Sequence, residues 1–130
     1  MRLYTFPKAE HICLRRDIEE LFTNASRAMT VFPLRAVYRV MPQEEGKPRV
    51  SVLLSVAKRH LRKAVSRNLA KRQMREAYRK NKSLLISTLP EGKMLHIAFI
   101  WLADTHMDSA RVEKSIVKLL QNIAEKETEV

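Results

Sequence analysis

The sequence has few of the residues on which several kinds of site are built. Among its 130 residues it has one cysteine, Cys13, and two glycines, Gly46 and Gly92. A single cysteine excludes an internal disulfide and offers no second thiol for a metal site, and we expect Cys13 to pack rather than to react. Two isolated glycines cannot form the glycine-rich loop that holds nucleotide phosphates. The composition therefore gives no support to a thiol-dependent or P-loop enzyme.

Long hydrophobic segments are also lacking. No uncharged apolar stretch reaches the roughly 18 residues that a membrane-spanning helix needs. The N-terminal sequence MRLYTFPKAEHICLRR has no continuous apolar core of the kind found in a signal peptide. We therefore expect a cytoplasmic protein that does not associate with a membrane. Because 45% of the residues are hydrophobic, we expect residues 1–130 to form one domain with its own core.

Histidines and carboxylates form no catalytic or metal-binding pattern. The four histidines are His11, His60, His96 and His106, and no local spacing unites them. His96 lies in an apolar strand, where we expect a buried structural histidine, and His60 lies among cations, where we expect phosphate contact or simple exposure rather than base catalysis. The carboxylates show no spacing typical of a two-metal site. We therefore predict no catalytic residue and no metal site on this chain, and a binding protein rather than an independent catalyst.

Positive charge is concentrated between Lys58 and Lys82. This segment has eleven basic residues and a single acid, Glu76, which gives it a net charge of +10 against +11 for the whole chain. Within it, four apolar residues at the spacing i, i+4, i+7 and i+8 predict a helix with one buried side: Ala70, Met74, Ala77 and Tyr78. So strong a local charge indicates a polyanionic partner, which is nucleic acid or an anionic membrane surface.

A row of cations runs along the same helix. Arg67, Lys71, Arg75 and Arg79 recur every four residues, with Arg72 and Lys82 on the same flank. Like charges at this spacing repel by about 0.2–0.5 kcal/mol per pair, so a bound polyanion would relieve the repulsion. Arginine suits phosphate because its planar guanidinium donates two parallel hydrogen bonds. We interpret the segment as a nucleic-acid surface, and the alternative is a helix face that is simply solvated.

Hydrophobic periodicity predicts the elements before the basic segment. A first helix spans residues 14–22, with Leu14, Ile18, Leu21 and Phe22 on one side. A short edge strand at residues 29–32 ends where proline interrupts it. Residues 34–41 alternate as a strand with Leu34, Ala36, Tyr38 and Val40 on one face and Arg35, Val37, Arg39 and Met41 on the other. Residues 50–56 also alternate, and we expect these last two strands to pair as a hairpin.

Two more elements follow the basic segment. Residues 94–102, MLHIAFIWL, are apolar on both faces, which predicts a central strand covered by helices. Asp108 or Ser109 has the side chain of a helix N-cap. A closing amphipathic helix is predicted by Val112, Ile116, Leu119, Leu120 and Ile123. The predicted order is helix, three strands, helix, strand, helix.

The segment from Ser55 to Arg79, SVAKRHLRKAVSRNLAKRQMREAYR, resembles the signature of the bacterial ribonuclease P protein subunit. That signature is a strand ending in Ser-Val-Ser-Lys-Lys, then Lys-Ala-Val, then Arg-Asn-Arg, Lys-Arg and Arg-Glu-Ala-Phe-Arg on one helix. Tyr78 stands for the aromatic residue. The residues that match in order are Ser55, Val56, Lys58, Arg59, Lys63, Ala64, Val65, Arg67, Asn68, Lys71, Arg72, Arg75, Glu76, Ala77 and Arg79.

The sequence departs from the family pattern at three points. Leu69 occupies the third position of Arg-Asn-Arg, so one cation is absent there. The connection His60-Leu61-Arg62-Lys63 is one residue longer than in the family and lacks its glycine. Ile18 stands where many members have an aromatic residue on the first helix.

The resemblance implies both a fold and a function. The implied fold is an α+β two-layer sandwich of order αβββαβα, with a four-stranded sheet and a left-handed βαβ crossover, against the usual right-handed rule. The implied function is that of the protein subunit of a ribonucleoprotein endonuclease that matures the 5′ end of tRNA. In this reading the RNA subunit holds the active site and its magnesium. The protein binds no cofactor of its own, requires no protein partner and is inactive alone.

The resemblance also implies two sites. The basic helix docks on the ribonuclease P RNA, and a cleft between the first helix and the sheet receives the single-stranded 5′ leader of precursor tRNA. Phe22 and Tyr38 are expected to line that cleft, whereas Arg35 and Arg39 lie on the strand face opposite Tyr38. The expected RNA-binding residues are Lys58, Arg59, Lys63, Arg67, Asn68, Lys71, Arg72, Arg75 and Arg79.

Two other functions remain open from the sequence. A non-enzymatic protein that binds structured RNA, of the ribosomal or RNA-chaperone type, would show the same salt-dependent binding but would not promote tRNA processing. A DNA-binding helix protein fits less well, because no second short helix precedes the basic one.

Overall fold

A computed structural model describes residues 15–22 and 27–128 of the chain. Leu14, Cys13 and His11 therefore lie outside the described residues. The elements in chain order are α1 (Arg15–Leu21), β1 (Arg27–Val31), β2 (Leu34–Pro42), β3 (Val50–Val56), α2 (Ala64–Asn81), α3 (Ser83–Ile86), β4 (Lys93–Trp101) and α4 (Ser109–Thr128). This is the α+β order predicted from the sequence, with one addition. The addition is α3, a single turn after α2 that buries Leu85.

The four strands form one mixed sheet in the order β1-β2-β4-β3. The predicted hairpin of β2 and β3 is wrong, because β4 lies between them. Ile97 of β4 is opposite Tyr38 in an antiparallel pairing with β2 and opposite Val52 in a parallel pairing with β3. The central position suits β4 because it is apolar on both faces and buried along nearly its whole length. The prediction that this strand is central is confirmed, whereas the handedness of the β3-α2-β4 crossover stays a prediction.

The β1–β2 hairpin forms one edge of the sheet. β1 pairs antiparallel with β2, and Val31 lies opposite Leu34 across the turn. The turn contains Phe32 and Pro33, and the peptide bond between them is cis. The predicted short edge strand before Pro33 is therefore confirmed.

Helices α2 and α4 cover one face of the sheet and form the main core with it. α2 packs over β3, and α4 packs over β1 and β2. Every residue predicted on the apolar sides of these two helices is buried: Ala70, Met74, Ala77, Tyr78, Val112, Ile116, Leu119, Leu120 and Ile123. They pack against Leu34, Ala36 and Tyr38 of β2 in one cluster. The helical periodicity of the sequence thus identifies correctly which sides of α2 and α4 dock.

Helix α1 packs on the opposite face of the sheet. Leu21 of α1 is buried against Ala98 of β4, with Leu53 of β3 packed beside them. Arg39 of β2 donates a hydrogen bond from Nη1 to Oε2 of Glu20 at 3.3 Å. The sheet therefore has a face covered by two long helices and a face that carries α1. None of the helices in the described ranges is long and apolar enough to cross a membrane.

Candidate nucleic-acid interface

The outward side of α2 is a cationic surface groove. Because Met74 and its apolar neighbours bury one side of the helix, the opposite side is exposed to solvent. The groove has a volume of about 540 Å³. Its lining residues are Val65, Asn68, Leu69, Lys71, Arg72 and Arg75. We call these six residues the α2 groove. Its three cations and one amide provide donors for phosphate oxygens, and the described part of the groove contains no acid.

Two apolar residues of the α2 groove were not predicted as site residues. Val65 is 80% exposed and Leu69 is 42% exposed, although both are large hydrophobic side chains. They lie off the buried stripe of Ala70 and Met74, and that position is the sequence signal that could have identified them. Exposed apolar side chains among cations can cover ribose or base surface while the cations bind phosphate.

Two of the predicted cations have partners within the protein. Arg67 donates from Nη1 to the backbone oxygens of Leu61 at 3.0 Å and Arg62 at 2.8 Å. It thereby holds the connection between β3 and α2, which lacks the glycine of the family pattern. Arg79 donates from Nη2 to Oε2 of Glu76 at 2.9 Å. This hydrogen bond, together with the charge of Arg79, holds the pKa of the Glu76 carboxyl below its usual value. Arg67 and Arg79 therefore have structural roles in addition to any contact with RNA.

The connection before α2 extends the cationic surface. Lys58, Arg59 and Lys63 are all exposed there, as a binding role requires. His60 in the same connection lies 2.7 Å from Asp104, between Nδ1 and Oδ1. Sequence reasoning missed this contact, because the two residues are 44 positions apart and no local spacing unites them. It joins the β3–α2 connection to the β4–α4 connection.

The structure does not bring Phe22 and Tyr38 together, and the expected cleft needs correction. Phe22 follows α1 and is 49% exposed, so its ring is available for stacking. Tyr38 is fully buried among the core residues beneath α2 and α4, on the face opposite α1. The alternation of β2 explains the result, because Tyr38 and Arg39 point to opposite faces and Arg39 is the one that contacts α1.

The cations on the α1 face are Arg35 and Arg39. Both point to that face because they have the parity of Val37, whose partner in β4 is Ala98, the residue on which α1 packs. Arg35 is exposed, and Arg39 is half-buried beside Glu20. The sheet surface next to α1 therefore carries the exposed Arg35 together with the exposed ring of Phe22, whereas the charge of Arg39 is paired with Glu20. It can bind a single strand by stacking and by phosphate contacts.

Residues 15–22 and 27–128 contain no group of three or more His, Cys, Asp or Glu that could hold a metal ion. His96 is buried in β4, as expected of a structural histidine. The chemistry that the described surfaces support is the binding of a polyanion.

Comparison with known proteins agrees with this chemistry. A family model described as Ribonuclease P matches residues 6–124. The ribonuclease P protein components of two Porphyromonas gingivalis strains are each 42% identical to this chain over 118 residues, which covers 90% of this chain and 85% of the relative.

Solved structures show the same fold. The ribonuclease P protein of Thermotoga maritima superposes with a TM-score of 0.65 at 24% identity and covers 87% of this chain and 96% of its own. The protein of Staphylococcus aureus superposes with a TM-score of 0.66 at 20% identity and covers 91% and 97%. The family match over most of the chain and the identity to the Porphyromonas proteins show that this chain belongs to the bacterial ribonuclease P protein family.

Proposed function

We propose that the α2 groove docks on the ribonuclease P RNA and that the α1 face of the sheet receives the 5′ leader of precursor tRNA. As a member of its family, the chain is the protein subunit of the ribonucleoprotein that matures the 5′ end of tRNA. The observation that carries the docking proposal is the position of Arg72 and Arg75. Both are exposed on a helix whose other side is anchored in the core.

The RNA-binding residues divide into three groups by position. Lys58, Arg59 and Lys63 precede α2, and we assign them to phosphates near its start. Asn68, Lys71, Arg72 and Arg75 bind phosphates within the α2 groove. Arg67 and Arg79 lie beside the groove with partners inside the protein, so we assign them mainly to holding the shape of the surface.

For the leader, Phe22 is the stacking residue and Arg35 supplies charge, while Arg39 is held in its ion pair with Glu20. A stacked base typically contributes about 1–3 kcal/mol, and a nearby cation favours the adjacent phosphate. Tyr38 has no part in this site because its ring is buried in the core.

Catalysis in this proposal belongs to the RNA subunit. We assign no magnesium ligand to this chain and expect magnesium to act through the RNA. The protein contributes by binding and positioning both RNAs. We expect it to be inactive alone and to need no protein partner.

Reconstitution tests the docking proposal. The purified protein is mixed with a bacterial ribonuclease P RNA at low magnesium, and 5′ cleavage of a precursor tRNA is followed beside RNA-only and protein-only reactions. We expect strong stimulation by the protein. The variant Arg72→Gln with Arg75→Gln should bind the RNA roughly 15- to 30-fold more weakly near 0.15 M salt, with a log–log salt slope reduced by about 1.4–1.8.

The matched control is Lys93→Gln with Lys126→Gln, which removes two exposed cations from outside the α2 groove. Equal losses in the two double variants would mean that total charge, rather than the α2 groove, determines binding. RNA binding without stimulation of cleavage would favour a general RNA-binding protein. Correct cleavage by the protein without RNA would contradict the assignment of the active site to the RNA.

The leader site has its own test. Phe22→Ala should weaken binding of a precursor tRNA that carries a 5′ leader and leave binding of the mature tRNA unchanged, because the mature product has no leader to stack. Equal weakening of both ligands would remove Phe22 from the leader site.

A further inference from the structure

A second groove lies between the β1–β2 turn and α4. It has a volume of about 790 Å³, and its lining includes Phe32 from the turn and Arg111, Lys114 and Lys118 from α4. Phe32 is 51% exposed, more than any other aromatic residue in the described part of the chain. We call these four residues the α4 groove. Neither the basic helix nor the α1 face accounts for an exposed aromatic ring at this position.

The ring of Phe32 is held in place rather than merely left exposed. The side-chain hydroxyl of Ser115, which is buried on α4, donates to the backbone oxygen of Val31 at 2.5 Å. This bond ties the turn to α4 one residue before Phe32. The guanidinium carbon of Arg111 lies 5.9 Å from the centre of the Phe32 ring. A guanidinium at this distance is attracted by the face of the ring, so the aromatic ring and the cation form one unit.

The cations of the α4 groove lie on one side of the helix. Arg111, Lys114 and Lys118 have the spacing i, i+3 and i+7, and all three are exposed. Glu113 is the one acid among the lining residues, and its Oε2 accepts a hydrogen bond from Nδ2 of Asn81 at 3.0 Å. Its carboxylate is therefore directed toward α2. An aromatic ring next to three exposed cations is the arrangement that binds single-stranded nucleic acid.

The α4 groove adjoins the C-terminal end of α2. Asn81, which contacts Glu113, is the last residue of α2, and the preceding turn carries Arg79 and Lys80. An RNA that follows α2 toward this end therefore comes beside the α4 groove. The leader site, in contrast, lies on the opposite face of the sheet.

We infer that the α4 groove is a second docking surface for the ribonuclease P RNA, in which an unpaired nucleotide stacks on Phe32 and neighbouring phosphates bind Arg111, Lys114 and Lys118. This inference rests on the proposed docking of the same RNA along α2. It adds an unpaired region of that RNA as the chemical partner of the β1–β2 turn.

Binding of the ribonuclease P RNA in the absence of precursor tRNA tests the inference. Phe32→Ala should weaken binding by roughly 5- to 150-fold, the range typical of one lost stacked base. Phe32→Tyr, which keeps an aromatic face, should bind as the unchanged protein does. Lys114→Gln with Lys118→Gln should reduce the log–log salt slope by about 1.4–1.8, whereas Lys93→Gln with Lys126→Gln should not.

Hydroxyl-radical footprinting of the RNA locates the contact, and circular dichroism verifies the fold of each variant. We expect the α4 variants to lose one set of protected nucleotides, which is unpaired and differs from the set lost in Arg72→Gln with Arg75→Gln.

An unchanged affinity, salt slope and footprint in the α4 variants would overturn the inference and leave the proposed function standing, provided that the α2 variant is impaired. A loss confined to complexes with precursor tRNA would also overturn it, since the groove would then serve the substrate. Normal binding by the α2 variant beside impaired α4 variants would support this surface and refute the docking role of α2.

Discussion

Helices α2 and α4 lie side by side on the same face of the sheet and differ mainly in the charges that they direct outward. Each buries one apolar side in the same core. On α2 the outward side has a single acid, Glu76, among many cations. On α4 the cations Arg111, Lys114 and Lys118 are interrupted by Glu113 and followed by both Glu125 and Lys126, so that the charge is mixed along the helix.

The difference separates two kinds of information in an amphipathic helix. The spacing of apolar residues reports how the helix docks, and in this respect α2 and α4 are alike. The sign of the outward charges indicates what the helix binds. Acids interleaved with cations reduce the net charge of a solvated face, whereas uninterrupted cations favour a polyanion. On this basis we propose that α2 is the main RNA-binding element and that α4 contributes only where its cations adjoin the β1–β2 turn.

Truncation of one buried side chain on each helix tests whether α2 and α4 are equally well docked. Met74→Ala on α2 and Leu119→Ala on α4 each remove a fully buried side chain, so each should lower the free energy of unfolding by about 2–5 kcal/mol. Leu69→Ala, on the exposed side of α2, should change it by less than about 0.5 kcal/mol. Urea denaturation followed by circular dichroism measures all three. A much smaller loss for Met74→Ala than for Leu119→Ala would mean that α2 is docked more loosely on the core than α4.

The sequence predicts an element correctly where the local residue pattern indicates which side of that element is buried. The buried sides of α2 and α4 follow from a spacing within one helix, and the central place of β4 follows from its apolar residues on both faces. The cationic side of α2 was predictable for the same reason, since the basic residues occupy the positions left by Met74 and its neighbours.

Features that depend on distant parts of the chain could not be predicted in this way. The alternation of β2 separates Tyr38 from Arg39, but it does not reveal which of the two faces α1 covers. The pairing of β2 with β4 rather than β3 is likewise a choice among strands with similar local patterns. The bonds of Arg67 to the backbone of Leu61 and Arg62 depend on the path of a connection that the sequence leaves undetermined.

Adding a positive charge to the exposed side of α2 should have a smaller effect. Leu69 is exposed in the α2 groove at the position where the family pattern has a third cation. Leu69→Arg should therefore tighten binding of the ribonuclease P RNA and make the log–log salt slope steeper by about 0.7–0.9, the effect of one added phosphate contact. Filter binding over a range of salt concentrations measures both quantities.

The matched control for this gain is Leu69→Gln, which removes the apolar side chain without adding charge. If Leu69→Gln tightened binding as much as Leu69→Arg, the leucine would be acting as an obstacle and charge would not be the cause. If Leu69→Arg weakened binding, the apolar contact of Leu69 with RNA would outweigh a cation at this position.

Removal of Glu76, the one acid of α2, should change RNA binding least. Glu76→Gln releases Arg79 from its ion pair, so we expect tighter RNA binding at neutral pH, by less than the gain of Leu69→Arg.

The same change should alter the pH dependence of stability. Because the folded protein lowers the pKa of Glu76 below its ordinary value of 4.5, the pair stabilises the folded state above that pH and its contribution is lost as the pH falls through the lowered pKa. Melting temperatures of the protein and of Glu76→Gln should therefore differ most at neutral pH and converge on acidification. A difference that stayed constant from neutral to acidic pH would show that the carboxylate charge is not what holds Arg79, and the outward side of α2 would then present Arg79 to RNA as freely as it presents Arg72.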